Sequence, residues 1–227
     1  MAHQEALSAQ DYLAAIYEMA EEGMPTVQAG LARWMGVSAA SVSEAVKRLR
    51  RDGLLRSEGR ELTFTDRGVR MAERLVRRHR IAERFLIHVI GLPWHRAHEE
   101  AGAWERAISD DVERRMVEIL DDPGTCPHGN PIPGSSHPVD HSDLSPLHAF
   151  QKGSKVVLER LTEDLELDPS VMKYFEEVGL MPGASISVDD AAPDGTLTLK
   201  VDGKRAALGP DLTDNLWVRV APKRSPA

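Results

Sequence analysis

A single cysteine, Cys126, stands among 227 residues. No internal disulfide can form, and a reducing compartment is the expectation. Long apolar runs are missing as well. Nothing approaches the run of about eighteen apolar residues that a membrane helix needs, and with 41% hydrophobic residues the chain is expected to be soluble and away from membranes. No basic-then-apolar leader precedes MAHQEALSAQDYL, so export is not expected and the cytoplasm is. Net positive charge is also lacking: the formal charge is −8. That argues against a generally cationic nucleic-acid binder but leaves room for a locally basic one.

The charge is unevenly placed. Between residues 33 and 60 lie seven basic residues (Arg33, Lys47, Arg48, Arg50, Arg51, Arg56, Arg60) against Glu44, Asp52 and Glu58. A solvated helix face reads the same way, but the flanking pattern points elsewhere. Ser8 can cap a first helix with Leu13, Ile16 and Tyr17 on its apolar stripe. Thr26 can cap a short second helix through Val27, Leu31 and Met35. After the Gly36-Val37 turn, Ser38 begins a third helix with Val42, Val46 and Leu49 inward. Two short strands, about 54–57 and 61–65, follow around Glu58-Gly59. Helices joined by a tight turn and followed by a hairpin make a winged helix-turn-helix over 1–65. Ser38, Ser41, Ser43, Glu44 and Lys47 then face outward on the third helix, where small hydroxyl residues permit close approach to phosphates and base edges. Lys47, Arg48, Arg51 and the wing's Arg60 are placed to meet phosphates. Double-stranded DNA is the expected partner.

Residues 66–122 read as helical. The first of these helices carries RRHRIAERFL, which sets His79 and Glu83 four apart on one face; an exposed i,i+4 contact looks the same. The next carries HEEAGAWER, residues 98–106. There His98 and Glu105 are seven apart and share a face, with Gly102 and Arg106 where further ligands would fall. That stretch is a metal-holding helix, a former one, or an ordinary charged helix. Ser109 caps another helix with Val112, Met116, Ile119 and Leu120 as its stripe, and this block is the expected dimer interface.

Residues 123–150 are rich in proline and glycine and read as a linker, with His128, His137, His141 and His148 as solvated loop residues. From 151 to 227, short β-rich runs at about 156–161, 184–189, 196–201, 204–208 and 216–220 alternate with Asp194-Gly195 and Asp202-Gly203 turns. One helix interrupts them, capped by Asp168, with Pro169 at its first position and Gly179 at its end. The expected class is mainly α with a small β part: an N-terminal winged helix-turn-helix, a helical dimerisation domain and a C-terminal SH3-like β-barrel.

DYLAAIYE (11–18), SVSEAVKRLRRDGLL (41–55), RRHRIAERFL (77–86), IGLPW (90–94), WERAISDDVERR (104–115) and HGNPIPG (128–134) together resemble the diphtheria-toxin-repressor family of metal-dependent transcriptional regulators. The resemblance runs in register over about 8–134 and more loosely through the barrel. It implies two metal sites per subunit. The ancillary site would use His79, Glu83 and His98, with Glu163 and Glu166 from LTEDLELD. The primary site would use Asp11 and Glu105 with positions 102 and 106, which in the family usually hold Cys or Glu and His. Gly102 and Arg106 stand there instead, so that site is depleted, and Arg106, permanently protonated, cannot ligate.

These observations imply a cytoplasmic, homodimeric, DNA-binding regulator controlled by a divalent transition metal, expected to repress metal-homeostasis genes. Manganese or iron(II) is the expected ion, with zinc or cobalt as in-vitro substitutes. A rival reading keeps DNA binding but lets Arg106, paired with Asp11 or Glu105, replace the primary-site cation. A metallohydrolase built on the His/Glu cluster is a third. It is disfavoured because no open position beside a general base is evident, and the protein is expected not to be an enzyme.

Overall fold

The computed structural model describes residues 7–221, and their contacts group into two units divided between Arg78 and His79. In the first unit, α1 (Ala9–Glu21) begins at a reciprocal capping box. Ser8 Oγ accepts from the Asp11 N–H, and Asp11 Oδ2 accepts from the Ser8 N–H at 2.5 Å, which satisfies two donors that a helix start otherwise leaves open. α2 (Gln28–Trp34) has no side-chain cap. Thr26, expected to cap it, instead donates its hydroxyl to Leu62 O at 2.9 Å. α3 (Ala39–Arg51) is capped by Ser38 and buries Val42, Val46 and Leu49, as the period-3.6 pattern requires.

The wing is β1 (Leu55–Glu58) paired antiparallel with β2 (Glu61–Phe64), with Arg56 opposite Thr63. Leu62 also donates to Thr26 O at 2.8 Å, which pins the wing to the start of α2. α4 (Asp66–Phe85) then leads away, with Ala72 and Leu75 joining a core of Leu13, Ile16, Met19, Leu31 and Val42. Cutting one of these fully buried side chains back to alanine costs about 2–5 kcal/mol.

In the second unit α4 finishes, a π turn covers Leu86–Ile90, and Gly91 in the left-handed region closes it. A 3-10 turn (Trp94–Arg96), α5 (Ala97–Trp104) and α6 (Asp110–Ile119) follow. Ile81, Ala82, Leu86, Ala101, Ile108, Met116 and Ile132 form their core. The α6 stripe departs from expectation. Met116 is buried, but Val112 and Ile119, seven residues apart on one face, are 49% and 50% exposed.

Residues 145–220 form a six-stranded antiparallel sheet of β3 (Ser145–Pro146), β4 (Lys155–Leu161), β5 (Ser185–Ala191), β6 (Leu197–Val201), β7 (Lys204–Leu208) and β8 (Leu216–Val220). Their spatial order is β3-β8-β4-β5-β6-β7. β6 turns into β7 through Asp202-Gly203, both with positive φ (47° and 89°), the two-residue hairpin geometry that sequence pair favours. Between β4 and β5 lie α7 (Glu163–Glu166) and α8 (Pro169–Val178). Asp168 caps α8 and Gly179 ends it, as expected. α9 (Pro210–Thr213) precedes β8. The core of this part includes Leu158, Phe175, Leu199 and Val218, and Trp94 reaches into it from the helical part of the same unit.

Candidate metal centre and nucleic-acid interface

Three imidazoles and two carboxylates converge in the second unit. Successive turns of α4 carry His79 and Glu83, α5 carries His98, and α7 carries Glu166. The third imidazole is His128, from the Pro/Gly-rich segment. Glu83 Oε1 lies 3.2 Å from His79 Nε2, 3.3 Å from His98 Nδ1 and 3.4 Å from His128 Nδ1. Glu166 Oε2 lies 3.1 Å from His98 Nδ1 and 2.7 Å from His128 Nδ1, and His79 Nε2 is 3.1 Å from His98 Nδ1.

Those spacings fit a cation. An ion bonded to its ligands at about 2.1 Å separates cis neighbours by about 3 Å. The hydrogen bonding supports the same fit. His128 Nδ1 and Glu166 Oε2 are close together but misaligned for a hydrogen bond. Both atoms, with His128 Nε2 and Glu83 Oε2, are buried without a hydrogen-bond partner. Buried polar atoms left this way are costly unless something else satisfies them. A mixed imidazole and carboxylate set suits iron(II), manganese, cobalt or zinc.

The electrostatics agree. Burial alone would lower the His98 pKa, but the facing carboxylates of Glu166 and Glu83 outweigh it and lift it to about 9. His79 and His128 are likewise raised against burial by the facing carboxylates, and Glu83 is held well below the usual carboxylate range by His128 and His79 despite its own burial. Without an ion, protons shared among these groups hold the cluster together. Cys126 adjoins Glu83 and His128. Burial, then the charges of Glu83 and Glu166, push its thiol up to about 12, so it stands there as a neutral SH.

His128 corrects the reading of its segment as solvated loop: it is fully buried, as are Cys126 and Asn130. Side chains from α4 satisfy this stretch's backbone. Arg84 donates to Thr125 O (2.7 Å) and Cys126 O (3.1 Å), and Arg80 donates to Pro131 O. On the other side Leu161 N–H donates to His128 O at 2.9 Å. Gly129 passes so close to β4 that a Cβ there would sit 2.1 Å from Glu159 O, at a φ of +93°. Only glycine fits that passage. His137 and His148 are exposed, as expected.

Glu163 and Glu166 divide their work. Asn130 Nδ2 donates to Glu166 Oε1 at 2.8 Å, which turns Oε2 toward the imidazoles. Glu163 has a donor group of its own with His98 and Glu166, yet its Oε1 accepts from Arg80 Nε at 3.1 Å and Nη2 at 2.5 Å. Glu105 lies just past the end of α5, buried, with Oε2 2.8 Å from His79 Nδ1. Gly102 has open space where a side chain would project, and Arg106 is exposed. Asp11, in the first unit, serves the α1 cap.

The first unit presents the basic face. Ser41, Glu44, Lys47, Arg48, Arg51 and Arg60 are exposed and Ser43 is half-buried. The hydroxyl of Ser38 is engaged by the helix start, accepting from the Ser41 N–H at 3.1 Å and lying 2.8 Å from Ser41 Oγ. Arg48 and Arg51 lie 4.0 and 3.7 Å from Asp52 across open surface, and exposed pairs of that kind are weak enough to yield to a phosphate.

The chain is similar throughout to described repressors. A model described as the iron dependent repressor N-terminal DNA binding domain matches residues 6–61. The iron dependent repressor metal binding and dimerisation domain matches 65–134, and a FeoA domain matches 145–220. The iron-dependent repressor IdeR of Mycobacterium tuberculosis is 40% identical over 202 residues, which is 85% of this chain and 87% of that protein. The diphtheria toxin repressor of Corynebacterium diphtheriae is 33% identical over 219 residues, 91% of this chain and 94% of that protein. Among solved structures, a manganese-dependent transcriptional repressor in complex with manganese superposes with a TM-score of 0.81 at 31% identity, covering 94% of this chain and all of that one. The IdeR of T. acidophilum superposes at 0.76 with 27% identity, covering 96% of this chain and all of its own.

Proposed function

Since the chain belongs to the diphtheria-toxin-repressor family of iron-dependent repressors, we propose that it is a DNA-binding transcriptional repressor whose grip on its operator is set by a divalent transition metal. The observation that carries this reading is the convergence of His79, Glu83, His98, His128 and Glu166, with buried donor atoms unsatisfied by hydrogen bonds. When bound, the ion supplies a double positive charge that those donors share.

The residues themselves do the rest. His79 and Glu83 commit the last turns of α4, His98 commits α5, His128 the Pro/Gly-rich segment and Glu166 the barrel's α7. One site therefore fixes four separate stretches of chain. On the first unit, Lys47, Arg48, Arg51 and Arg60 neutralise phosphates while Ser41, Ser43 and Glu44 face the bases. Val89, Ile90, Val112 and Ile119, each about half exposed, are the apolar groups assigned to contact with a second copy of the chain, since all four fall within the stretch that matches a dimerisation domain. Cytoplasmic residence fits this role, and among the described residues no helix is long and apolar enough to cross a membrane.

The reading in which Arg106 replaces a cation draws little support. Arg106 is exposed, and an ion pair made at an exposed guanidinium is screened by water and salt and worth under about 1 kcal/mol. The family is one of DNA-binding repressors rather than hydrolases, so the hydrolase reading has no footing. A DNA-binding titration with manganese and with excess chelator, paired with metal analysis of the same protein, tests the proposal. Tight binding with metal and loss with chelator is expected; equal affinity in both would overturn it.

A further inference from the structure

His79 is the only one of the three converging imidazoles whose second ring nitrogen is seen to meet a carboxylate among the described contacts. Nε2 faces Glu83 and His98, while Nδ1 lies 2.8 Å from Glu105 Oε2. Both partners are largely shielded, with side-chain exposures of 12% for His79 and 9% for Glu105. At that depth a charged acceptor holds a proton on Nδ1 strongly. The Nδ1 proton is thereby fixed, which leaves Nε2 as the nitrogen that faces Glu83 and His98 and that would give up its proton to ligate.

The two ends of α5 enclose this ring. His98 enters from the first turn and stands edge-on, its ring centroid 4.7 Å from that of His79. Glu105 enters just after the last turn. Around Glu105, position 102 has no side chain and position 106 carries an exposed arginine, so its nearest sequence neighbours on that face give it no partner ligand.

We propose that Glu105 is a positioning residue of the surviving metal centre: it does not bind an ion, but orients His79 and raises the basicity of the nitrogen that does. The inference rests on the metal reading given above. Carboxylates on the outer nitrogen of a metal-bound imidazole typically carry a 10–100-fold share of the affinity.

Cobalt(II) and manganese(II) serve as probes on the full chain, in the parent, Glu105→Gln, Glu105→Ala and His79→Ala, and in the Glu105→Ala/His79→Ala double variant. Glu105→Gln keeps a neutral acceptor and should lose less affinity than Glu105→Ala, which should lose roughly 10–100-fold. Stoichiometry should stay at the parent value in both, and the visible cobalt spectrum should shift. In the His79→Ala background, adding Glu105→Ala should change affinity no further, because the carboxylate acts only through that ring. A merely structural role would weaken binding in both backgrounds.

Loss of one ion per subunit on removing Glu105 would make it a direct ligand and overturn the inference. So would a Glu105→Ala affinity within twofold of the parent. Thermal unfolding in chelator shows which variants fold; if Glu105→Ala does not, the Gln variant and its spectrum decide. A parent that takes up neither cobalt nor manganese stoichiometrically overturns the metal reading itself, a result distinct from either of these.

Discussion

Arg80 holds Glu163 from two guanidinium nitrogens where the side chains are only 1% and 4% exposed. Removing one partner of such a pair strands the other charge in the interior and costs about 3–5 kcal/mol. Glu163→Ala should therefore destabilise the chelated protein by that order in denaturant melts. Glu166→Ala should also destabilise the chelated protein, since it removes the acceptor for Asn130 and the carboxylate facing His98 and His128. Unlike Glu163→Ala, it should abolish stoichiometric metal binding. If Glu163→Ala removes metal uptake and leaves apo stability intact, the two glutamates have the opposite roles.

The pH dependence follows from His98. Its folded pKa, lifted to about 9, lies above the reference value of about 6.5 for an unfolded chain. A raised folded pKa means the stabilisation is fully present below about 6.5 and fades as the pH rises through about 9. In chelator the melting temperature should fall across that window, as Glu83 and Glu166 lose a protonated partner. With manganese bound, no such proton is needed, so the melting-temperature gain from metal should grow from pH 6.5 to 9. A gain that shrinks over this range would contradict the assignment.

On the first unit, Lys47 stands exposed on α3 opposite Val42, Val46 and Leu49. Lys47→Ala should weaken binding to all DNA sequences and reduce the salt slope by about one. Ser38→Ala should act differently, lowering stability by about 1 kcal/mol through the lost cap. Fluorescence anisotropy across a salt series and thermal melts separate the two effects.

Val112→Asp or Ile119→Asp should leave the fold intact, since both side chains are about half exposed, yet shift the chain toward monomer in sedimentation. A monomeric parent would remove the argument for this face.

Much of the architecture was legible locally. Caps at Ser8, Ser38, Ser109 and Asp168, the stops at Gly91 and Gly179 and the Asp202-Gly203 turn are short-range chemistry, and each element they bound was readable. The grouping of His79, Glu83 and His98 was legible through the family resemblance, while helical spacing alone fitted an exposed i,i+4 contact better. His128 was hidden. Its segment has the composition of a loop, and the groups that satisfy its carbonyls, Arg80 and Arg84 on α4 and Leu161 on β4, lie more than thirty positions away in the chain. The signal that could have exposed it is the Cys-x-His pair followed by a glycine: residues 126 to 129. Glu163 and Glu166 both read as ligands because nothing in LTEDLELD tells which acid meets a buried arginine. Glu105 shared the sequence face of His98, but α5 ends one residue earlier, and the side chain reaches the far side of His79.

The burial of the donors sets a clock. Glu83, His128 and Glu166 are at most 4% exposed, and the chain that covers them is tied down by arginines and by the close passage of Gly129. An ion lodged there can trade His79 and His98, 12% and 20% exposed at their side chains, for water, but not the three buried donors. It leaves when the covering segment opens, an event governed by local unfolding and running from microseconds to seconds or longer. Occupancy would then lag behind falling metal outside, and the protein would respond to the recent average of supply rather than to its momentary value.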